Sequence, residues 1–350
     1  MSQKPVNLAL QGGGSHGAFT WGVLDRVLED GRIRIEAISG TSAGAMNAVV
    51  LADGLVRNGV DGAREALADF WHEVSWAAAQ SPIQRNPVNV LLGDWGLENS
   101  PSYLFFDLLG RLASPYELNP LNIDPLRKLL AKHVDFDRVN RCDQIKLFVS
   151  ATNVHTGQAR VFSARDVTAD AVLASACLPL MFHAVEIDGV PYWDGGYMGN
   201  PVLYPFFYHC SSRDILIVQI NPVERKQTPK TAREILDRVN EITFNGALLK
   251  EFRAIEFVGR LIAQGKLDDS EYKAIRLHSI QGGEMMLELS ASSKLNAERR
   301  FVQYLYELGW QQADCWLEEH IDKVGVRSSY DIKSLFDIGP KDPVENSAAP

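Results

Sequence analysis

Cysteine is scarce and scattered. The four residues Cys142, Cys177, Cys210 and Cys315 lie at least 33 positions apart in a chain of 350, and no two form a CxxC pair. That spacing excludes a zinc ribbon or a thioredoxin-like centre and suits a reducing compartment. Long apolar runs are missing too. The longest near-candidate, Ala43 to Ala52, carries Asn47 and falls short of the ~18 residues that a membrane span needs. The opening stretch MSQKPVNLAL holds one lysine and runs straight into a strand-like segment, which leaves no room for a signal peptide. Basic charge is in deficit: 35 Lys and Arg against 44 Asp and Glu leave a net −9. That balance disfavours a nucleic-acid partner held by phosphate neutralisation. No His, Cys, Asp and Glu cluster has metal-ligand spacing, so neither a metal nor another cofactor is expected. These absences point to a cytoplasmic protein with no transmembrane segment.

What is present reads as an α/β fold. Hydrophobic residues make up 46% and charged residues 23%, enough apolar material for a sizeable core. Val6 to Leu10 is a short apolar run that stops at Gly12-Gly13-Gly14. A helical pattern of Phe19, Val23, Leu24, Val27 and Leu28 follows, closed by Gly31. Arg32 to Ser39 alternates as a strand and leads into Gly40-Thr41-Ser42-Ala43-Gly44. Ile145 to Thr152 and Asp214 to Ile220 read as strands of a parallel sheet covered on both faces. The repeated order of strand, glycine turn and helix predicts a three-layer α/β/α sandwich with a mainly parallel central sheet.

Two regions depart from that order. Residues 80–125 hold six of the 16 prolines and five aromatics, where length alone would place about two prolines. The expectation is an irregular cap, either a lid or a segment whose aromatics are plain core. After Pro229, Thr231 and Glu234 form a capping box, and a second helix covers Ala297 to His320. The expected organisation is a catalytic domain over 6–225, a helical C-terminal extension over 226–335 and a disordered tail over 339–350.

Three constellations carry chemistry. Gly12-Gly13-Gly14-Ser15-His16-Gly17, between a strand and a helix, lets backbone N–H groups converge on an anion. That anion is either a phosphate or a developing oxyanion. Gly12-x-Gly14-x-x-Gly17 also fits the dinucleotide fingerprint, but the acid that would hold a ribose is absent; Ser39-Gly40-Thr41-Ser42 stands there, and Glu36 is mid-strand. Gly40-x-Ser42-x-Gly44 fits a nucleophile elbow, in which small neighbours allow a strained turn to expose the serine hydroxyl. The third is Asp194, delivered by a hairpin over Val185 to Asp194 into Gly195-Gly196. It is either a turn residue or a general base for Ser42, and as a base it needs a dry pocket to raise its pKa. A Ser-His-Asp triad using His209, His278 or His320 is disfavoured, because only one strand precedes the elbow strand.

Together these pieces resemble the patatin-like phospholipases. Gly-Gly-Gly near the N-terminus, Gly-Thr-Ser-Ala-Gly-Ala about 28 residues on and a late Asp-Gly-Gly occur in the family's order. The stretch Ala174-Ser175-Ala176-Cys177-Leu178-Pro179, Phe182 and Asn200-Pro201 match its late segment. The resemblance covers roughly 6–207. It implies a patatin-like sandwich and a lipid acyl hydrolase with a Ser42–Asp194 dyad, no metal and no catalytic histidine. The amides of Gly12, Gly13 and Gly14 would form the oxyanion hole, with His16, Gly17, Gly40, Gly44, Gly195 and Gly196 supporting the motifs. The implied partner is a lipid ester at a membrane or lipid surface. The family usually carries Arg or Lys where this chain has His16, which as a neutral group supplies no fixed charge. The favoured role for His16 is a neutral side chain that orients the glycine loop by a hydrogen bond. The alternatives are a non-catalytic lipid- or nucleotide-binding module on the same scaffold, an acyltransferase or a polyester depolymerase.

Overall fold

The computed structural model describes residues 3–336; the tail expected over 339–350 lies outside them. Strand β1 (Lys4–Leu10) is central, pairing in parallel with β2 (Ile33–Gly40) on one side and β7 (Asp214–Gln219) on the other. Beyond them, β3 (Lys146–Asn153) adds in parallel to β2, and β8 (Arg276–Gln281) in parallel to β7. Strands β4 (Ala159–Ser163) and β6 (Val190–Asp194) both pair antiparallel with β3, and β5 (Val185–Ile187) folds back on β6. The expected hairpin turns at Asp188-Gly189, both left-handed at φ 51° and 76°.

Period-two alternation sends the central strands' side chains to both faces. Leu8, Leu10, Leu216 and Val218 face one core, and Ala9, Ile215 and Ile217 face another. The first core is roofed by α1 (Gly17–Asp30), closed by Gly31 at φ 71°, and by α2 (Ala43–Ala79), which is interrupted at Asn58-Gly59. The second lies under α9 (Tyr204–His209) and α10 (Ala232–Ala263), which contribute Phe206, Leu248 and Phe252. The three-layer sandwich is therefore present, and α10 starts with the expected Thr231–Glu234 capping box.

About half of residues 80–125 is helical, where an irregular segment was expected. Helices α3 (Pro87–Leu92), α4 (Pro101–Leu112) and α5 (Pro115–Leu118) each begin with a proline, as does α6 (Pro125–His133). Asn86, Ser100, Ser114 and Asp124 cap them. Proline at the first helical position loses no intrahelical bond, and its fixed φ already suits the helix, so here it starts helices rather than breaking them. The aromatics divide: α4 buries no residue and Phe105 is 58% exposed, whereas Trp95 packs against the main core, stacked on Phe301. Short α7 (Phe136–Val139) then leads into β3, and α8 (Ala169–Ser175) follows β4.

The 226–335 region is mainly helical, with α11 (Gly283–Leu287) and α12 (Arg299–His320) after α10, yet it also adds β8 to the sheet. Sequence reading missed that strand, whose run Arg276-Leu277-His278-Ser279-Ile280-Gln281 is too polar to stand out. Helix α12 crosses α1 at glycines. A Cβ on Gly309 would run into Phe19 O, and one on Gly22 into Tyr306 O. Gly309→Ala is therefore expected to lower unfolding stability by roughly 1–3 kcal/mol through overpacking, read from the urea midpoint. An unchanged midpoint would mean that the two helices separate freely.

Candidate active site

The register of β3 brings the elbow and the aspartate together. On one edge β4 occupies Phe148 to Thr152, so both other partners must share the opposite edge. There β2 ends with Gly40 beside Val149, and β6, running the other way, ends with Asp194 beside Ala151. The two chains therefore point at each other across Ser150. Its hydroxyl lies 2.6 Å from Thr41 Oγ1, and both hydroxyls reach Gly199 O, at 3.1 and 2.7 Å. Positions 42 and 194, far apart in the chain, become neighbours by strand pairing alone.

Ser42 occupies the elbow at φ 53° and ψ −121°, left-handed backbone that a serine adopts at a cost of about 1–3 kcal/mol. Its N–H donates to Ser175 Oγ at 2.8 Å, and it stands at the N-terminal end of α2, where the helix dipole favours negative charge. The glycine loop packs directly against it. A Cβ on Gly12 would lie 2.7 Å from both Ser42 Cβ and Thr41 O, so only glycine permits this approach.

The loop's three amides are not equivalent. Gly12 N–H is taken by Asn200 Oδ1 at 2.6 Å, which removes it from the expected oxyanion donors. Among the described residues, the N–H groups of Gly13 and Gly14 donate to no protein acceptor. Gln11 braces the base of the loop: Nε2 donates to Asn200 O and Asn245 Oδ1, while Oε1 accepts from the N–H groups of Ile220 and Asn221. A carboxylate at position 11 would lack the donor for half of this.

Asp194 is buried and accepts from Gly196 N–H at 2.7 Å, its own N–H donating to Cys177 O. Burial pushes its carboxyl up to about 7, against the opposing pull of Gly196 N–H, the facing Ser42 hydroxyl and the Lys294 charge. A carboxylate of that strength is matched to proton transfer near neutrality. The triad histidines are engaged elsewhere. His278 bonds Asp214 and Ser329, His209 stacks on Phe148, and His320 meets Trp316 and Lys323. Cys177, beside Asp194, is no thiolate at neutral pH, since burial pushes its thiol up to about 12.

His16 precedes α1 in a 3-10 turn, Gly14–His16. Its Nε2 lies 2.8 Å from Ser293 Oγ, whose own proton goes to Ser290 O, so Nε2 carries the hydrogen. Burial, then the charges of Lys294 and Arg225, hold its pKa well below the usual histidine value. This favours the neutral ring, and its hydrogen-bond partner comes from the C-terminal region. Ser175, Asn200, Asn221, Ser293 and Lys294 all reach this site without having been assigned a role in it. Ser175 and Asn200 sat inside recognised motifs; no sequence signal pointed to the other three.

The sequence model of the patatin-like phospholipases matches residues 8–207, a stretch that includes the glycine loop, the elbow and Asp194. The chain belongs to the patatin-like phospholipase family. Membership supports a lipid hydrolase. No curated protein sequence matches the chain. Among solved structures, VipD from Legionella pneumophila is 17% identical at a TM-score of 0.39, covering 90% of this chain and 67% of that one. Full-length ExoU, in complex with full-length SpcU from the type III secretion system of Pseudomonas aeruginosa, is 16% identical at a TM-score of 0.31. That match covers 89% of this chain and 53% of the other. This patatin-like chain thus spans about two thirds of the first and half of the second.

The raised pKa of Asp194 has a consequence for folding. The native state holds this proton more tightly than the unfolded chain, where the carboxyl titrates near 4. Its contribution to stability is complete below about pH 4 and is lost as pH rises through about 7. Asp194→Asn keeps the acceptor for Gly196 N–H and carries no charge. It should unfold at a higher urea concentration than wild type at pH 8 and at the same concentration at pH 4. Equal midpoints at pH 8 would show that the buried carboxylate carries no such penalty.

Proposed function

We propose that the chain is a serine lipid acyl hydrolase in which Ser42 and Asp194 act as a dyad. The observation that carries this reading is a buried carboxyl, raised to about 7, facing a serine on a strained elbow. Ser42 Oγ attacks the acyl carbonyl carbon while its proton passes to Asp194. The carbonyl oxygen becomes an oxyanion held by the N–H groups of Gly13 and Gly14 and favoured by the N-terminus of α2. Collapse breaks the ester bond, and the departing alkoxide takes the proton from Asp194. Water then attacks acyl-Ser42 and gives its proton to Asp194; collapse breaks the Ser42 Oγ–acyl bond, Oγ takes the proton back from Asp194, and the fatty acid leaves. Each oxyanion donor of this kind is worth about 10²–10³ in rate.

A lipid substrate also suits the cap. Phe105, Leu108 and Leu112 recur along one face of α4 and are 58%, 55% and 75% exposed. The cap joins the segment next to Asp194: His183 Nε2 bonds Pro115 O, and Ala184 N–H donates to Tyr116 Oη. Exposed apolar groups on this scale mark a surface that meets apolar material, and no described helix is long and apolar enough to cross a membrane. We read the cap as the part that settles on a lipid surface and admits acyl chains.

The test of the dyad is covalent. A fluorophosphonate should label wild type at Ser42 and leave Ser42→Ala unlabelled and inactive on a panel of phospholipids. The rate should climb with pH through about 7, because Asp194 must lose its proton to act as a base. Labelling elsewhere, or an acid limb near pH 4, would sink the assignment. For the cap, a Phe105→Ser/Leu112→Ser variant should bind phosphatidylcholine vesicles several-fold more weakly than wild type. Its turnover of a short soluble ester should stay within about twofold. Undiminished vesicle binding would place the lipid surface elsewhere.

A further inference from the structure

The 3-10 turn Ala291–Leu295, between α11 and α12, grips the glycine loop from outside. Ser15 Oγ donates to Ser293 O and Lys294 O, both at 3.0 Å, and His16 donates to Ser293 Oγ. Gly14 lies so close to Lys294 O that no Cβ would fit between them. The half-buried side chain of Lys294 turns back toward the loop. Its ammonium donates to Asn221 Oδ1 at 2.8 Å, and Asn221 Nδ2 donates to Gly12 O at 2.7 Å.

The order of these bonds matters. Gly12 O and Gly13 N–H belong to one peptide unit, so the series runs from ammonium to amide to peptide carbonyl and leaves at Gly13 N–H. Hydrogen bonds in series polarise one another, and a charged donor at the head strengthens the donor at the end. The titratable groups facing Lys294 are Glu241 and Asp237 on α10, Arg225 before that helix, Asp194 at the end of β6 and His16 on the loop. Glu241 is already paired with Arg225 and Arg238. Burial lowers the pKa of Lys294, while the negative charges of Glu241, Asp237 and Asp194 favour its ammonium form.

We propose that Lys294, acting through Asn221, supplies the positive charge that strengthens the glycine-loop oxyanion donors, in place of a cation at position 16. The proposal rests on the Ser42–Asp194 reading. Lys294 is a positioning residue, since it touches the loop's support and not the reacting atoms. It has a second effect: its charge holds the Asp194 carboxyl lower than burial alone would leave it.

The experiment uses the full chain, with p-nitrophenyl butyrate as a neutral soluble ester and phosphatidylglycerol micelles as an anionic lipid. Lys294→Met should lower kcat on the neutral ester about 10- to 100-fold with KM within about threefold, and Lys294→Arg should recover most of it. The acid limb of the pH profile should move upward in Lys294→Met, a displacement that a packing defect would not produce. Lys294→Gln gives the same reading should the Met variant not fold. Wild-type kcat in a folded, uncharged variant would overturn the proposal, as would an arginine variant no better than methionine. A loss confined to KM on phosphatidylglycerol, absent on the neutral ester, would assign Lys294 to a lipid phosphate instead. If wild type is inactive and unlabelled by the fluorophosphonate, the dyad itself fails. An active wild type beside an unaffected Lys294→Met removes this inference alone.

Discussion

Everything at this site depends on one edge of β3 being shared by two strands that run toward each other. A strand has two edges. With β4 on one, β2 and β6 must divide the other, one up to Val149 and one from Ala151. Their ends therefore abut at Ser150. The elbow that leaves β2 and the aspartate that closes β6 are held at a fixed separation by backbone pairing, not by side-chain contacts that thermal motion would loosen. The tight fit of Gly12 against Ser42 and Thr41 then fixes the loop relative to the elbow.

The second constraint is electrostatic. Closing this junction buries Asp194 with one charge-neutral donor, Gly196 N–H, and a facing hydroxyl. Such an environment cannot fully satisfy a carboxylate, and its pKa rises toward neutrality as a result. The burial that weakens the fold at high pH also gives the carboxyl the proton affinity a base needs near neutral pH. His16 lies buried close by, where burial and the charges of Lys294 and Arg225 favour its neutral form.

The C-terminal region belongs to this arrangement physically. Strand β8 extends the sheet, α12 interlocks with α1 through Gly22 and Gly309, and the 291–295 turn reaches the glycine loop. Residues 226–335 therefore bear on the site even though the family match ends at 207.

The sequence alone determined the parts that depend on local chemistry. Glycine spacing located the loop after β1 and the elbow, apolar runs located the buried strands, and the Asp188-Gly189 turn delivered Asp194. Local pattern misread residues 80–125, because a proline that starts a helix and one that breaks it look alike until the capping residue before it is weighed. It also missed β8, whose polar side chains find partners across the fold, His278 and Arg276 on Asp214 and Gln281 on Gln219. Tertiary structure decided the rest. That Gly12 N–H is spent on Asn200, that His16 meets Ser293 and that Ser15 meets the Lys294 carbonyl follow from contacts between segments about 190 to 280 residues apart. No local pattern encodes them, because each is set by which surfaces the sheet brings face to face.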